Sequence, residues 1–130
     1  GTFFTLTTAS LPDDELIFAR AGANDPNFNL RHDPVFIQRR KAKSTVFASV
    51  IESHGTYNPV SEIPLSPYSG VEKVEILLDD PAYTAVEIRH RSGKIWTVLL
   101  SNVDNSAISK HSIKIKNQIF EWQGPFNIQN

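Results

Sequence analysis

Residues 71–101 read VEKVEILLDDPAYTAVEIRHRSGKIWTVLLS, and their pattern decides the fold class. Three runs, Val71–Leu78, Thr84–His90 and Ile95–Ser101, are of strand length and rich in Val, Ile and Thr, residues that suit a pleated, half-buried surface. Between them lie Asp79-Asp80-Pro81-Ala82 and Arg91-Ser92-Gly93-Lys94, where Asp bonds nearby backbone, Pro presets φ and Gly permits a reversal. Strands that follow one another this closely pair as antiparallel meanders.

The same signature extends outward in both directions. Phe3–Thr7, Glu15–Ala19, Thr45–Ser53, His111–Lys116 and Ile119–Trp122 are further strand-length runs, and Lys116-Asn117-Gln118 is a tight hairpin. No window of helix length carries a 3.6-residue apolar stripe. The expectation is an all-β fold, an antiparallel β-sandwich of about eight to nine short strands in a single domain over residues 1–130. Asn58–Gly70, with Pro59, Pro64 and Pro67, holds too many prolines for a central strand and is predicted to cross between sheets.

Two kinds of strand are present. In His111–Lys116, Ile113 and Ile115 alternate with Ser112, Lys114 and Lys116, which gives one dry and one wet face. In Ile95–Leu100, Trp96, Val98 and Leu100 oppose Ile95 and Leu99, so both faces require cover. Val46–Ile51 repeats that two-sided pattern, which points to a further layer in a larger parent protein.

Composition narrows the function classes. A chain of 130 residues with 40% apolar residues can bury a core, and its formal charge of −1 gives no bulk attraction to nucleic acid or anionic membranes. No run approaches the roughly 20 apolar residues of a membrane-spanning helix. Without cysteine there is no disulfide framework, thiolate metal site or cysteine nucleophile. Gly1 in place of a start methionine reads as a processing boundary, so the chain is expected to be a piece of a longer protein.

Candidate chemistry is sparse. His54-Gly55-Thr56-Tyr57 brings an imidazole and a phenol near each other, a base and acid pair for proton transfer, against the alternative that both only fix a loop. His32, His54, His90 and His111 fall in no His-x-His or His-x-x-x-His arrangement, so no metal site is expected. His90 reads as a strand-end packing residue. Arg31, Arg39, Arg40, Lys41 and Lys43 concentrate positive charge that could meet a carboxylate-bearing or sulfated polymer, with Tyr57 as an added contact. A solvated loop and strand start would look the same. Trp96 and Trp122 could stack on sugars, although aromatics at alternating strand positions usually face the core. Serine hydrolase, P-loop and dinucleotide signatures are absent.

Two longer motifs add a resemblance. Phe18-Ala19-Arg20-Ala21-Gly22-Ala23-Asn24-Asp25-Pro26-Asn27-Phe28-Asn29-Leu30-Arg31 and Phe47-Ala48-Ser49-Val50-Ile51-Glu52-Ser53-His54-Gly55-Thr56-Tyr57-Asn58-Pro59 resemble the C-terminal β region of heparinase II/III-like polysaccharide lyases, nearest to the oligoalginate (exo-type alginate) lyases. The resemblance implies a parent with an N-terminal α/α toroid and a multilayered β-sandwich. It implies cleavage of uronate polymers by β-elimination: the carboxylate is neutralised, a base removes the C5 proton and an acid protonates the departing O4. The family's catalytic residues belong largely to the toroid and the first β part, and none maps onto a position here.

On this resemblance the chain is expected to be a non-catalytic β domain with no cofactor of its own. Its partners would be the toroid, the first β part and an acidic polysaccharide, and its expected address is periplasmic or secreted. The Asn24–Arg31 and His54–Asn58 loops would be aimed at neighbouring domains or the cleft. Two other readings stand beside it: an autonomous carbohydrate-binding module for anionic glycan, and a small free-standing lyase using His54 and Tyr57.

Overall fold

A computed structural model describes residues 1–22 and 32–130; the Asn24–Arg31 loop, with Arg31 itself, lies outside the described residues. Eleven strands and no helix make up the described secondary structure: β1 (Thr2–Thr8), β2 (Glu15–Gly22), β3 (His32–Arg39), β4 (Ser49–Asn58), β5 (Ile63–Leu65), β6 (Val71–Asp79), β7 (Tyr83–His90), β8 (Ile95–Ser101), β9 (Lys110–Ile115), β10 (Gln118–Gln123) and β11 (Phe126–Gln129). The all-β antiparallel expectation is borne out. The three strands beyond the sequence reading are β3, β5 and β11. The backbone divides into two compact units, Gly1–Ala9 with Thr45–Asn130, and Ser10–Ser44.

In the larger unit the meander β6-β7-β8, extended by β11, forms a four-stranded antiparallel sheet in the order β11-β8-β7-β6. Consecutive residues of a strand face opposite sides, and here both sides are covered. Ala85 and Leu99 pack against Ile113, Ile115, Phe120 and Trp122 of the β9–β10 hairpin. Their neighbours Val86 and Val98 belong to a second cluster with Val74 of β6 and with Ala9, Ala48 and Val50 from the β1–β4 side. The four-stranded sheet is therefore the middle of three layers. This accounts for the two-sided apolar pattern of Ile95–Leu100, although its end residues Ile95 and Leu100 stay exposed.

The turns carry the expected chemistry. Asp80 accepts hydrogen bonds from the backbone of Ala82 and Tyr83, both at 2.7 Å, which closes the β6–β7 reversal. The proline-rich crossover contains the short β5, an edge strand beyond β4 in the order β1-β4-β5. Pro64 is tolerated there because an edge leaves ladder positions without a donor requirement.

The smaller unit is built on the β2–β3 hairpin, in register from Glu15 opposite Arg39 to Gly22 opposite His32. Phe18 and Phe36 are cross-strand partners with ring centroids 5.3 Å apart. Ile17 and Ile37 pair on the opposite face. The hairpin is thus apolar on both faces.

Candidate functional site

His54 and Tyr57 both lie on β4, which runs on through Asn58 instead of ending at the histidine. Gly55 sits at φ +56°, and a Cβ there would meet the Ser66 carbonyl oxygen at 2.2 Å. Only glycine fits that left-handed position so close to another backbone. The bend seats the imidazole between two partners: Nδ1 is 3.1 Å from the Ser66 carbonyl oxygen and Nε2 is 2.7 Å from the Thr5 hydroxyl. A carbonyl can only accept, so Nδ1 donates to Ser66, and Nε2 shares a hydrogen bond with the Thr5 hydroxyl. Phe3 stacks on the ring at 6.1 Å. Tyr57 is 41% exposed and its backbone is paired with Gly1 and Pro64.

Glu52, two residues earlier on the same strand, belongs to no chemical motif, yet it organises this region. Its carboxylate accepts from the Ser69 hydroxyl, from the Gly70 amide at 2.9 Å and from the Val71 amide at 3.3 Å. These bonds, the Ser69 hydroxyl first, hold its pKa below the ordinary glutamate value. The arrangement pins the end of the crossover to β4. A lone glutamate inside a strand gives no signal of this, because its donors lie 17 to 19 positions further along the chain.

Two cations of the basic stretch, Arg39 and Arg40, are paired with carboxylates of their own hairpin. Arg40 Nε and the Asp14 carboxylate are 2.5 Å apart, with side chains only 6% and 1% exposed, and a second bond runs from the Arg40 terminal nitrogen at 2.7 Å. Gln38 and the Leu11 amide also donate to Asp14. Arg39 pairs with Glu15, its register partner. Lys41 is exposed and lines a cleft with Asp13, Glu15, Arg39 and Arg40.

The Arg40 guanidinium hydrogen-bonded to Asp14 holds that carboxyl well below the usual carboxylate range. A depressed pKa contributes stability above the unfolded value, near pH 4, and that contribution is lost as pH falls through the folded value. The amide spectrum of β2 and β3 is therefore expected to be constant from neutral pH to about 4 and to collapse below it. Asp14→Asn should loosen the hairpin already at neutral pH and remove the acid transition, as followed by NMR.

Trp122, Trp96, His111 and His90 are engaged in ring contacts within the fold. Trp122 is buried in a cluster with Tyr83 and His111, at ring distances of 5.6 and 5.0 Å. Trp122 Nε1 and His111 Nε2 have no hydrogen-bond partner there. Trp96 is half-buried and meets His90 edge-on at 5.9 Å, and His90 Nδ1 bonds the Ser92 hydroxyl at 2.7 Å. Among the described residues no group of three or more His, Asp or Glu side chains gathers as a metal site would require.

In sequence the chain is similar to curated lyases of alginate. The chain is 33% identical over 126 residues to an alginate lyase of Stenotrophomonas maltophilia (strain K279a), covering 95% of this chain and 17% of that enzyme. It is 36% identical over 122 residues to an exo-oligoalginate lyase of Saccharophagus degradans (strain 2-40), covering 93% of this chain and 16% of that protein. The resemblance to alginate lyases read from the two motifs is borne out, and the chain spans about one sixth of the length of these relatives. No family model matches it.

Proposed function

We propose that the chain is a non-catalytic C-terminal β domain of a heparinase II/III-like lyase that depolymerises alginate, or a related uronate polymer, by β-elimination. The observation that carries this reading is similarity along nearly the whole chain to only a sixth of two alginate lyases. Elimination needs a base with a free lone pair at the C5 proton. Both nitrogens of His54 are committed, to Ser66 and Thr5, which favours the supporting role over a free-standing lyase using His54 and Tyr57.

Two surfaces support a multidomain parent. On the outward face of β1 and β4, Leu6 pairs with Ile51, which is 74% exposed, and Phe4 lies beside them at 70%. Contiguous exposed apolar side chains of this kind mark an interaction surface. The β2–β3 hairpin, apolar on both faces, likewise requires outside cover, since a lone two-stranded ribbon is marginal in water. The partners on this reading are the toroid and first β part of the parent.

The test is the absorbance of unsaturated uronate released from alginate oligomers. The 130-residue chain is expected to release none, and a longer protein that adds the remaining length of the relatives is expected to be active. Turnover by the short chain would overturn the non-catalytic assignment.

A further inference from the structure

A strand at the border of a sheet leaves one row of N–H and C=O groups without a ladder partner, and charges or prolines normally guard such an edge. Here the border strands β2, β3, β5, β6, β9 and β10 are guarded, by Arg20, Pro34, Pro64, Lys73, Lys114 and Glu121 respectively. β1 and β11, with the sequences TFFTLTT and FNIQ, carry neither charge nor proline. Among the described residues no strand pairs with their outer sides. The same two strands expose apolar side chains at period two: Phe4 at 70% and Leu6 at 46% on β1, Phe126 at 62% and Ile128 at 59% on β11. Register shows which amides face outward. The Ala9 amide donates to the Ala48 carbonyl in line with the β1–β4 register, and the Ser101 amide donates to the Pro125 carbonyl in line with that of β8 and β11. Bonds to the partner alternate along an antiparallel strand. The amides of Phe4 and Leu6 therefore point away from β4, and those of Phe126 and Ile128 away from β8.

We propose that β1 and β11 are joining points, where extended segments from the rest of the parent lyase add by backbone hydrogen bonding and lengthen the β1-β4-β5 sheet and the four-stranded sheet. Each incoming segment supplies carbonyls to the outward amides and sets apolar side chains, at period two, beside Phe4 and Leu6 or beside Phe126 and Ile128. This occupant rests on the proposed function: the chain spans about one sixth of its relatives, so most of their length lies outside it. The edges themselves argue against a second copy of the chain. Two bare edges joined copy to copy would propagate without closing, as filaments do. A segment of the same parent closes each edge once.

Hydrogen exchange read by mass spectrometry compares the 130-residue chain with a longer protein that adds the remaining length of the relatives. The segments Thr2–Thr8 and Phe126–Gln129 are expected to exchange about a hundredfold more slowly in the longer protein. Alanine and proline at one position separate strand addition from side-chain packing, since both remove the apolar side chain and only proline removes the outward amide. In the longer protein L6A and I128A should keep the added protection within about threefold, whereas L6P and I128P should lose about tenfold of it or more. Should a proline variant fail to fold, the comparison of the two unsubstituted proteins decides alone. Equal exchange of both segments in the two proteins, or equal effects of alanine and proline, overturns strand addition. Self-association of the 130-residue chain, with no added protection in the longer protein, overturns it in favour of a second copy. Open edges in a longer protein that releases unsaturated uronate overturn the joining points and leave the proposed function standing, and closed edges in a longer protein that releases none do the reverse.

Discussion

Leu99→Ala is expected to destabilise the larger unit by about 3–4 kcal/mol, the middle of the range for buried leucine truncations. Leu99 is fully buried in the middle sheet, facing the cluster of Ala85, Ile113, Ile115, Phe120 and Trp122. The loss combines the apolar transfer energy of the removed atoms with the cavity that three packed layers cannot close. A domain of this size has only about 5–15 kcal/mol of stability, so the fall in Tm should be near 15–25 °C. Ile51→Ala on the exposed face of β4 provides the contrast and should change stability by no more than about 0.5 kcal/mol in this chain. Equal effects at the two positions would contradict the layer assignment.

Gly55→Ala is expected to cost about 2 kcal/mol or more, from left-handed backbone strain together with collision against a neighbouring backbone. The added Cβ would lie 2.2 Å from the Ser66 carbonyl oxygen and 2.4 Å from that of Leu65, neither of which can swing away as a side-chain tip would. Relief comes only by detaching β5, which also removes the Ser66 acceptor from His54. Hydrogen exchange should therefore show β5 amides unprotected while β6–β8 remain protected. Gly93→Ala, at φ +85° with open space around it, isolates the backbone strain and should cost about 1 kcal/mol. Retained β5 protection in Gly55→Ala would refute this account of the bend.

The middle sheet and the β9–β10 hairpin were legible in sequence because period-two alternation and turn chemistry act locally. Ile113 and Ile115 inside, with Lys114 outside, followed directly from that alternation. The strands beyond the sequence reading are those whose local signals conflict. β3 contains Asp33-Pro34 and ends in arginine, β5 is three residues around Pro64, and β11 is only Phe126–Gln129. Each gains its ladder from a partner strand, and no local pattern encodes that.

The candidate site was less legible for the same reason. Arg39 and Arg40 read as a solvent-facing basic patch, but their acids lie 24 and 26 positions earlier and meet them only through hairpin register. The sequence left His54 open between proton transfer and fixing a loop because it hides Thr5 and Ser66, which bond its two nitrogens.

That these residues support a lyase without performing its chemistry is tested by kcat on alginate oligomers for a longer, active protein carrying His54→Gln and Tyr57→Phe. The expected kcat per folded molecule is within about twofold of that of the unsubstituted protein, because neither group would transfer a proton. A fall of about a hundredfold or more, with the fold intact, would contradict it.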